Sequence, residues 1–304
     1  MNRQNCNTVL MIEPIAFGFN KETSVNNHFQ TNPNKKNSII QGEALFQFNQ
    51  FVKLLKDNFI NVITIKDTKY PFTPDSIFPN NWISFHEGTI VIYPMFAKNR
   101  RHERRSDIIF FLKEKGYLIE QIIDYSIWEN ENRYLEGTGS MVLDREKKIA
   151  YATISDRTDK MIFEIFCKDF KYEPIIFHAY HEINGVKKPV YHTNVMMSIG
   201  CEYAIICLEA ITCVKERKRV IDALSDKELI EISASQMINF AGNVLQLENL
   251  KGEKLLVMSK NAYNSLDTLQ IHSLKEFNKI ITPSIETIEK HGGGGVRCML
   301  AEVF

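Results

Sequence analysis

The chain has 304 residues, of which 37 are Lys or Arg and 37 are Asp or Glu, so its formal net charge is zero. With 44% hydrophobic and 24% charged residues it has a globular composition, which excludes disordered, collagen-like and coiled-coil chains. The neutral charge argues against nucleic-acid binding, and no apolar run approaches the roughly 20 residues that span a bilayer.

Helix and strand patterns alternate along the chain. An apolar stripe between Ala44 and Leu55 predicts a first helix. A second helix begins near Ile108, with Ser106-Asp107 as its N-cap, and ends at Gly116. Residues 214–224 predict a third helix, and residues 262–277 contain a fourth. Strand patterns cover residues 62–65, 89–93, 149–151, 203–208 and 255–258.

Five segments share one plan, a polar or glycine corner followed by an apolar strand. The corner residues are Asn81, Gly139, Asn194, Asn243 and Cys298, at intervals of 58, 55, 49 and 55 residues. A regular interval of this size is typical of stacked or radial repeats. It predicts an α/β fold of five units, each with strands and one helix, in a single domain over residues 1–304. Arranged around an axis, the five units would bring their corners to a common centre.

The last corner combines a glycine run with a cysteine. The chain has six cysteines and no C-x-x-C pair, which argues against a disulfide framework and against a structural zinc site. Cys298 follows Gly292–Gly295, a run that lets backbone approach a ligand and point several N–H groups at one spot. A thiol near such amides has a lowered pKa and is a competent nucleophile. The alternative is a flexible glycine loop with an incidental cysteine.

Two further corners carry groups that transfer or hold a proton. His192 lies in Tyr-His-Thr-Asn, at a corner equivalent to that of Cys298. If the corners converge, the two form the minimal pair for covalent catalysis with proton transfer. Glu136, in Leu-Glu-Gly-Thr-Gly, is placed to bind the imidazole and hold its tautomer. The alternative for Glu136 is a loop carboxylate beside a turn, and for His192 a buried or surface histidine without a catalytic role.

Candidate substrate-binding groups lie on the remaining segments. Asn80 and Asn81, in Phe-Pro-Asn-Asn-Trp, can each donate and accept hydrogen bonds, which suits a neutral urea-like group, although Pro-Asn is also a common turn pair. Asp75 precedes them. Arg101, from a cluster of four arginines, and Arg157 are candidates to bind a substrate carboxylate, since guanidinium groups bind carboxylates bidentately.

Three motifs carry a resemblance to a known superfamily. Leu135-Glu-Gly-Thr-Gly-Ser140, His192-Thr-Asn-Val195 and Gly293-Gly-Gly-Val-Arg-Cys-Met299, in this order, resemble the guanidine-modifying (amidinotransferase, or pentein) superfamily. The similarity is greatest to its citrulline-utilisation hydrolase branch, where Phe17-Gly-Phe-Asn20 and Phe78-Pro-Asn-Asn-Trp82 also match. It covers essentially the whole chain and implies a five-bladed α/β propeller of ββαβ units with the active site on its axis.

The resemblance implies a role for each candidate. It implies Cys298 as nucleophile, His192 as general acid and base, and Glu136 as the carboxylate that orients His192. Asp75, Asn80 and Asn81 match substrate-binding positions of the dimethylarginine-hydrolysing relatives. Arg101 and Arg157 match the arginines that bind the amino-acid carboxylate there.

Departures from the arginine deiminase pattern bear on the substrate. Two aspartates of that pattern are replaced by Asn81 and Asn194, and a corner aspartate is replaced by Gly139. A cationic guanidinium favours carboxylates, whereas a neutral ureido group favours amides. We therefore expect a substrate less cationic than arginine, with citrulline favoured, and include Asn194 among the substrate-binding residues.

The predicted function is cysteine-dependent hydrolysis of a ureido or guanidino C–N bond in a small amino-acid substrate. An amidinotransferase that passes the intermediate to an amine, and a non-catalytic binding protein of the same fold, stay open as alternatives. No metal or organic cofactor is expected, nor a nucleic-acid or membrane partner, and a homo-oligomer is left open. Because residues 1–10 are polar and lack a signal-peptide core, we expect a cytoplasmic protein.

Overall fold

The computed structural model describes residues 3–32, 35–183 and 185–304. Its strands are β1 (Thr8–Glu13), β2 (Asn61–Lys66), β3 (Ile83–His86), β4 (Thr89–Ile92), β5 (Gln121–Asp124), β6 (Val142–Asp144), β7 (Ile149–Thr153), β8 (Glu173–Phe177), β9 (Tyr180–Ile183), β10 (Val186–Pro189), β11 (Met197–Ile199), β12 (Tyr203–Ile206), β13 (Glu228–Glu231), β14 (Leu245–Glu248), β15 (Lys254–Val257), β16 (Lys279–Ile281) and β17 (Ala301–Val303).

Helices and short helical turns connect these strands. The α-helices are α1 (Asn37–Asp57), α2 (Ser106–Glu114), α3 (Gly137–Ser140), α4 (Lys160–Phe170), α5 (Thr193–Met196), α6 (Val214–Ala223), α7 (Ala234–Ile238), α8 (Lys260–Ser265), α9 (Thr268–Phe277) and α10 (Glu286–Gly292). The 3₁₀ turns span Pro79–Asn81, Asn99–Glu103, Ser126–Glu131, Leu208–Ala210 and Val296–Met299.

Five three-stranded sheets repeat one topology. Their strand orders are β17-β1-β2, β3-β4-β5, β6-β7-β8, β11-β12-β13 and β14-β15-β16, while β9 and β10 form a separate hairpin. In each three-stranded sheet the first strand pairs antiparallel with the middle one, which pairs parallel with the third. A parallel pair needs a crossover, and α1, α2, α4, α6 and the α8–α9 pair provide it. The prediction of an α/β fold with five repeated units of small sheets is confirmed at this level.

Most predicted elements form within a few residues of their expected bounds. In α1 the buried residues are Ile40, Ala44, Phe48, Phe51 and Leu55, whose spacing of three or four places them on one face against the β1–β2 sheet. The predicted N-cap of the second helix is wrong. Helix α2 begins at Ser106 itself, and the preceding Arg105 is its N-cap residue without a side-chain cap.

The helix predicted within residues 262–277 is two helices. Helix α8 ends at Ser265, and α9 begins after Asp267. The Asp267 side chain accepts a hydrogen bond from the Gln270 N–H, and the Gln270 side chain bonds back to the Asp267 backbone. This capping box starts a new helix inside the apolar stripe.

The first strand in each of the five sheet orders, which we call the inner strand, is preceded by a tight turn that holds a corner residue. Before β14 this is the turn at Asn243, whose N–H donates to the Phe240 carbonyl at 2.9 Å. The 3₁₀ turn Pro79–Asn81 precedes β3, α3 precedes β6, α5 precedes β11, and the 3₁₀ turn Val296–Met299 precedes β17. The turn Pro79–Asn81 contacts both α3 and the turn Val296–Met299, and α3 also contacts α5. The corners of the repeat are therefore neighbours in space. Among the described residues, no helix has the length and hydropathy of a membrane span.

Candidate active site

The sulfur of Cys298 lies where three corners meet. Its residue is 4% exposed, in the turn before β17. The side-chain amides of Asn243 and Asn194 donate to Sγ, at 3.3 Å and 3.6 Å. Burial raises the pKa of the Cys298 thiol, and the hydrogen bonds from these amides and the charge of Arg297 offset this only in part. The expectation of a lowered thiol pKa is therefore wrong for this state, because enclosure outweighs the nearby dipoles.

His192 is held by a buried carboxylate. Its Nε2 lies 2.8 Å from Oε2 of Glu136, and both residues are buried. Oε1 of Glu136 accepts from the backbone N–H of Phe96 at 3.0 Å, and Nη1 of Arg157 lies 3.5 Å from Oε2. Glu136 thus has three partners, although the family's corner aspartate is absent.

The charge state of this pair follows from its surroundings. Burial alone would raise the pKa of Glu136, but Arg157, His192 and Arg100 together lower it to about 2. Burial lowers the pKa of His192 to about 4, more than the hydrogen bond to Glu136 raises it. At neutral pH the carboxylate is ionised and the imidazole is neutral. The carboxylate selects the tautomer with hydrogen on Nε2, which leaves Nδ1 free to accept a proton.

Cys298 and His192 line the same small cavity. Its volume is about 10 Å³, roughly what one water molecule needs. The other polar residues that line it are Asn27, Asp75, Asn81, Arg100, Arg157 and Tyr191. A nucleophile, a base and charged groups for substrate recognition are therefore brought together, in a state too small to hold an amino acid.

Three of the predicted substrate-binding residues, Asp75, Asn81 and Arg157, line this cavity, and Asp75 and Arg157 have distinct environments. Asp75 is buried, its Oδ2 accepts from Asn20 at 2.8 Å and Thr23 at 3.1 Å, and its Oδ1 has no hydrogen-bond partner. Burial raises the pKa of Asp75, since Arg100 and these hydrogen bonds compensate only in part. The Arg157 guanidinium donates through Nε at 2.8 Å, and through Nη2, to Oδ1 of Asn26.

Three predicted binding residues, Asn80, Arg101 and Asn194, do not line the cavity. The Asn80 side chain lies behind Asn81, donating to Thr138 Oγ1 at 3.2 Å and accepting from Asn81 Nδ2 at 3.0 Å. Arg101 is about a quarter exposed, donates to the Met95 carbonyl at 3.1 Å and pairs with a glutamate outside the cavity. Asn194 contacts the sulfur, as described above, and its Oδ1 has no partner.

Of the four clustered arginines, Arg100 rather than the predicted Arg101 lines the cavity. It is 2% exposed and bonds bidentately to Glu103, at 2.8 Å and 2.9 Å. Its Nη1 donates to Asn81 Oδ1 at 2.7 Å. The spacing of Arg100 and Glu103 by three residues was the signal available for this pair. Asn243 was recognised as a corner but not as a contact of the sulfur.

A segment from the N-terminal part of the chain covers the site, and we call residues 20–30 the covering segment. Asn20 and Thr23 bond Asp75, and Asn26 bonds Arg157, as above. Asn27 Nδ2 donates to the carbonyls of Gly292 and Gly293, both at 3.3 Å. Phe29 of the same segment packs against the rings of Tyr191 and Phe240, so polar and apolar contacts together hold the covering segment over the cavity.

The glycine run serves close packing around the sulfur. Gly293 ends α10 with φ of 66°, and a Cβ there would lie 2.7 Å from the Asn27 side chain. A Cβ on Gly295 would lie 2.7 Å from Oδ1 of Asn243, the amide that contacts Cys298. Side chains at these positions would displace the covering segment and the sulfur's own partner.

The sequence of this chain matches a known protein family over nearly its whole length. Residues 13–304 match the family model described as N,N dimethylarginine dimethylhydrolase, eukaryotic. The chain belongs to this family. A search of curated proteins finds no match. Membership confirms the prediction of a guanidine-modifying superfamily hydrolase that acts on C–N bonds.

Solved structures similar to this dimethylarginine dimethylhydrolase family member share its fold. The apo form of ArgZ, an arginine dihydrolase from the ornithine–ammonia cycle in Cyanobacteria, has a TM-score of 0.75 and 16% identity. That match covers 97% of this chain and 40% of the ArgZ chain. The substrate-bound N-terminal domain of ArgZ has a TM-score of 0.71 and 17% identity, covering 97% of this chain and 98% of that one.

A third similar structure is the DDAH from Pseudomonas aeruginosa, a cysteine-to-serine variant in complex with citrulline. Its TM-score is 0.65 and its identity 14%, with 97% of this chain and 98% of that chain covered. At such identities these likenesses show the fold. They support the mixed α/β prediction for this member of the dimethylarginine dimethylhydrolase family.

Proposed function

We propose that this protein hydrolyses a C–N bond of a ureido or guanidino group on a small amino acid through a covalent thio-intermediate. Cys298 is the nucleophile, His192 the general acid and base, and Glu136 the carboxylate that orients His192. The observation that carries the proposal is that Cys298 and His192 line one cavity while the imidazole is bonded to a buried carboxylate.

The proposal includes the arrangement of the five units around one axis, with the active site at its end. Support comes from the contacts among the corner turns and from the pairing of β17 with β1, which joins the last strand to the first in one sheet. Contacts of β17 with β3, of β6 with β11 and of β11 with β14 also fit a ring of inner strands.

In the resting state thiol and imidazole are both neutral, so the reaction begins with proton transfer from Sγ to Nδ1 of His192. The ionised Glu136 stabilises the imidazolium that forms. Sγ then attacks the planar carbon, and His192 returns the proton to the leaving nitrogen as the tetrahedral adduct collapses. A water molecule, deprotonated by the same imidazole, attacks the thio-intermediate and releases the thiol.

We propose citrulline as the preferred substrate, because Asn81 and Asn194 stand where a cationic guanidinium would favour carboxylates. Arg100 and Arg157 line the cavity together with Asp75, and Glu103 and Glu136 pair with these arginines. The N–H groups of a ureido group can donate to Oδ1 of Asn194 and Oδ1 of Asp75, which have no hydrogen-bond partner. Arg157 would bind the amino-acid carboxylate, in place of Asn26.

The test is product analysis with citrulline, arginine, methylarginines and agmatine as separate substrates. We expect the highest kcat/KM with citrulline and no turnover by Cys298→Ala. The matched control is Cys207→Ala, because Cys207 is a buried free cysteine that does not line the cavity. Turnover by Cys298→Ala, or loss of turnover in both variants, would contradict the assigned nucleophile.

Two alternatives give distinct results in the same assay. An amidinotransferase would form guanidinoacetate from arginine and glycine. A non-catalytic binding protein would retain a ligand in equilibrium dialysis without forming product. The match to a family described as a dimethylhydrolase favours hydrolysis.

A further inference from the structure

A second and much larger cavity lies away from Cys298. Its volume is about 460 Å³, within the range of cavities that bind small molecules. The β3–β5 sheet, the β6–β7 turn and the segment from the end of α4 to β8 line it, together with residues before β1 and at the end of β17. It shares no lining residue with the Cys298 cavity. Its charged lining side chains are four cations and two carboxylates.

The most buried of these cations is Arg145, which is 6% exposed. Its carboxylate neighbour is Glu302, at 3.7 Å from Nη2. That same oxygen already accepts from Arg297 at 2.7 Å. Arg145 otherwise stacks over the Phe304 ring, 4.0 Å from its centroid, and lies 3.4 Å from Nδ1 of His86. A buried guanidinium thus shares one carboxylate with a closer cation, an arrangement that an added anion would stabilise.

Lys148 adds a second positive charge to the same wall. Its Nζ lies 4.7 Å from the centroid of the Tyr172 ring, and it forms no ion pair with any residue of the described ranges. Burial and the charge of Arg145 lower its pKa, and the charge of Glu87 offsets this only in part. Glu87 and Asp169 are the two lining carboxylates, and that of Asp169 accepts from the Tyr125 hydroxyl at 2.6 Å. With four cations against two carboxylates, the lining side chains carry a net positive charge.

We propose that this cavity is a ligand site for a small organic anion, a carboxylate or phosphate on an aromatic body, bound between Arg145 and Lys148. The anionic group neutralises the paired cations. The cavity is far larger than an inorganic anion, and the aromatic ring of the ligand fills the remaining volume against the rings of Phe170, Tyr172 and Phe304. The proposal is independent of the reaction assigned to Cys298.

The test is isothermal titration calorimetry of the full-length protein with two ligands, phenyl phosphate and benzoate. Comparing them distinguishes a phosphate from a carboxylate as the preferred anionic group. Inorganic phosphate has the negative charge but no aromatic ring, and benzyl alcohol has the aromatic ring but no charge. We expect at least one aromatic anion to bind about tenfold more tightly than either fragment. Equal binding of an aromatic anion and benzyl alcohol, or no heat from either anion, would overturn the proposal.

Two substitutions locate the binding. Lys148→Gln should weaken the aromatic anion about tenfold, and Lys171→Gln, at another lining lysine, should weaken it in the same direction. The matched control is Lys187→Gln, because Lys187 also lies over a tyrosine ring, at 4.4 Å from Tyr180, but outside this cavity. Unchanged affinity in both lining variants, with melting temperatures like the wild type, would show that the anion binds elsewhere.

Discussion

Replacement of Gly139 by alanine tests how tightly the corners converge. Gly139 lies in α3, between residues of two other corner turns. A Cβ there would lie 2.5 Å from Nδ2 of Asn81 and 2.8 Å from Nδ1 of His192. Since ordinary van der Waals contact begins at 3.4 Å, Asn81 must move by about 0.9 Å and His192 by about 0.6 Å.

The magnitude follows from those displacements. Overpacking of a closed interior costs about 1–3 kcal/mol of unfolding free energy, and both neighbours here are fixed by further hydrogen bonds. A misplacement of about 1 Å at a reacting group lowers the rate roughly 100-fold. We therefore expect Gly139→Ala to lose both stability and about two orders of magnitude in kcat/KM.

Urea unfolding and steady-state kinetics with citrulline measure the two effects. Gly42→Ala is the control, because Gly42 lies within α1 and an added Cβ meets nothing within 4 Å. That variant should gain up to about 1 kcal/mol without a change in turnover. The reasoning fails if Gly139→Ala unfolds like the wild type, because the corner would then have room that the contacts exclude. The unfolding result does not depend on the proposed reaction.

Three further predictions use other groups. Burial raises the pKa of Glu289 to about 7, so its contribution to stability is greatest below pH 4.5 and is lost as pH rises through 7. Glu289→Gln should therefore gain up to about 3 kcal/mol at pH 8 and almost nothing at pH 4 in urea unfolding, and equal gains at both would contradict this. Because burial raises the pKa of Cys298, iodoacetamide should alkylate it more slowly at pH 7 than a free thiol and faster as pH rises through 9, as peptide mapping would show; rapid labelling at pH 7 would refute the closed state. Asn26 occupies the Arg157 guanidinium, so Asn26→Ala should lower KM for citrulline about fivefold with little change in kcat, whereas a raised KM would place Asn26 among the groups that hold the substrate.

The convergence of the corners could be predicted because repeated structural units place equivalent positions near one another. Cys298, His192 and Glu136 lie at or within three residues of the corners of three units, so regular spacing of the corners in sequence becomes proximity in space. No long-range contact had to be known in advance. The same holds for the strand and crossover order, which repeats with the corners.

The choice between Arg100 and Arg101 could not be read in the same way. The two are adjacent, and the 3₁₀ turn Asn99–Glu103 directs one into the cavity and the other towards its rim. Local sequence chemistry is identical for both, and only the bidentate partner Glu103 distinguishes Arg100. The pKa of Cys298 was predicted wrongly because it depends on how deeply the thiol is buried, which no motif encodes.

The pairing of β17 with β1 has a consequence for how the protein acquires its sulfur centre. Thr8 lies opposite Val303 in this ladder, and Cys298 stands a few residues before it. Loop-closure entropy makes so distant a pairing slow to form. The Cys298 thiol would thus be among the last groups to become buried during refolding. The rate at which it becomes protected from a thiol reagent therefore reports the formation of the complete fold.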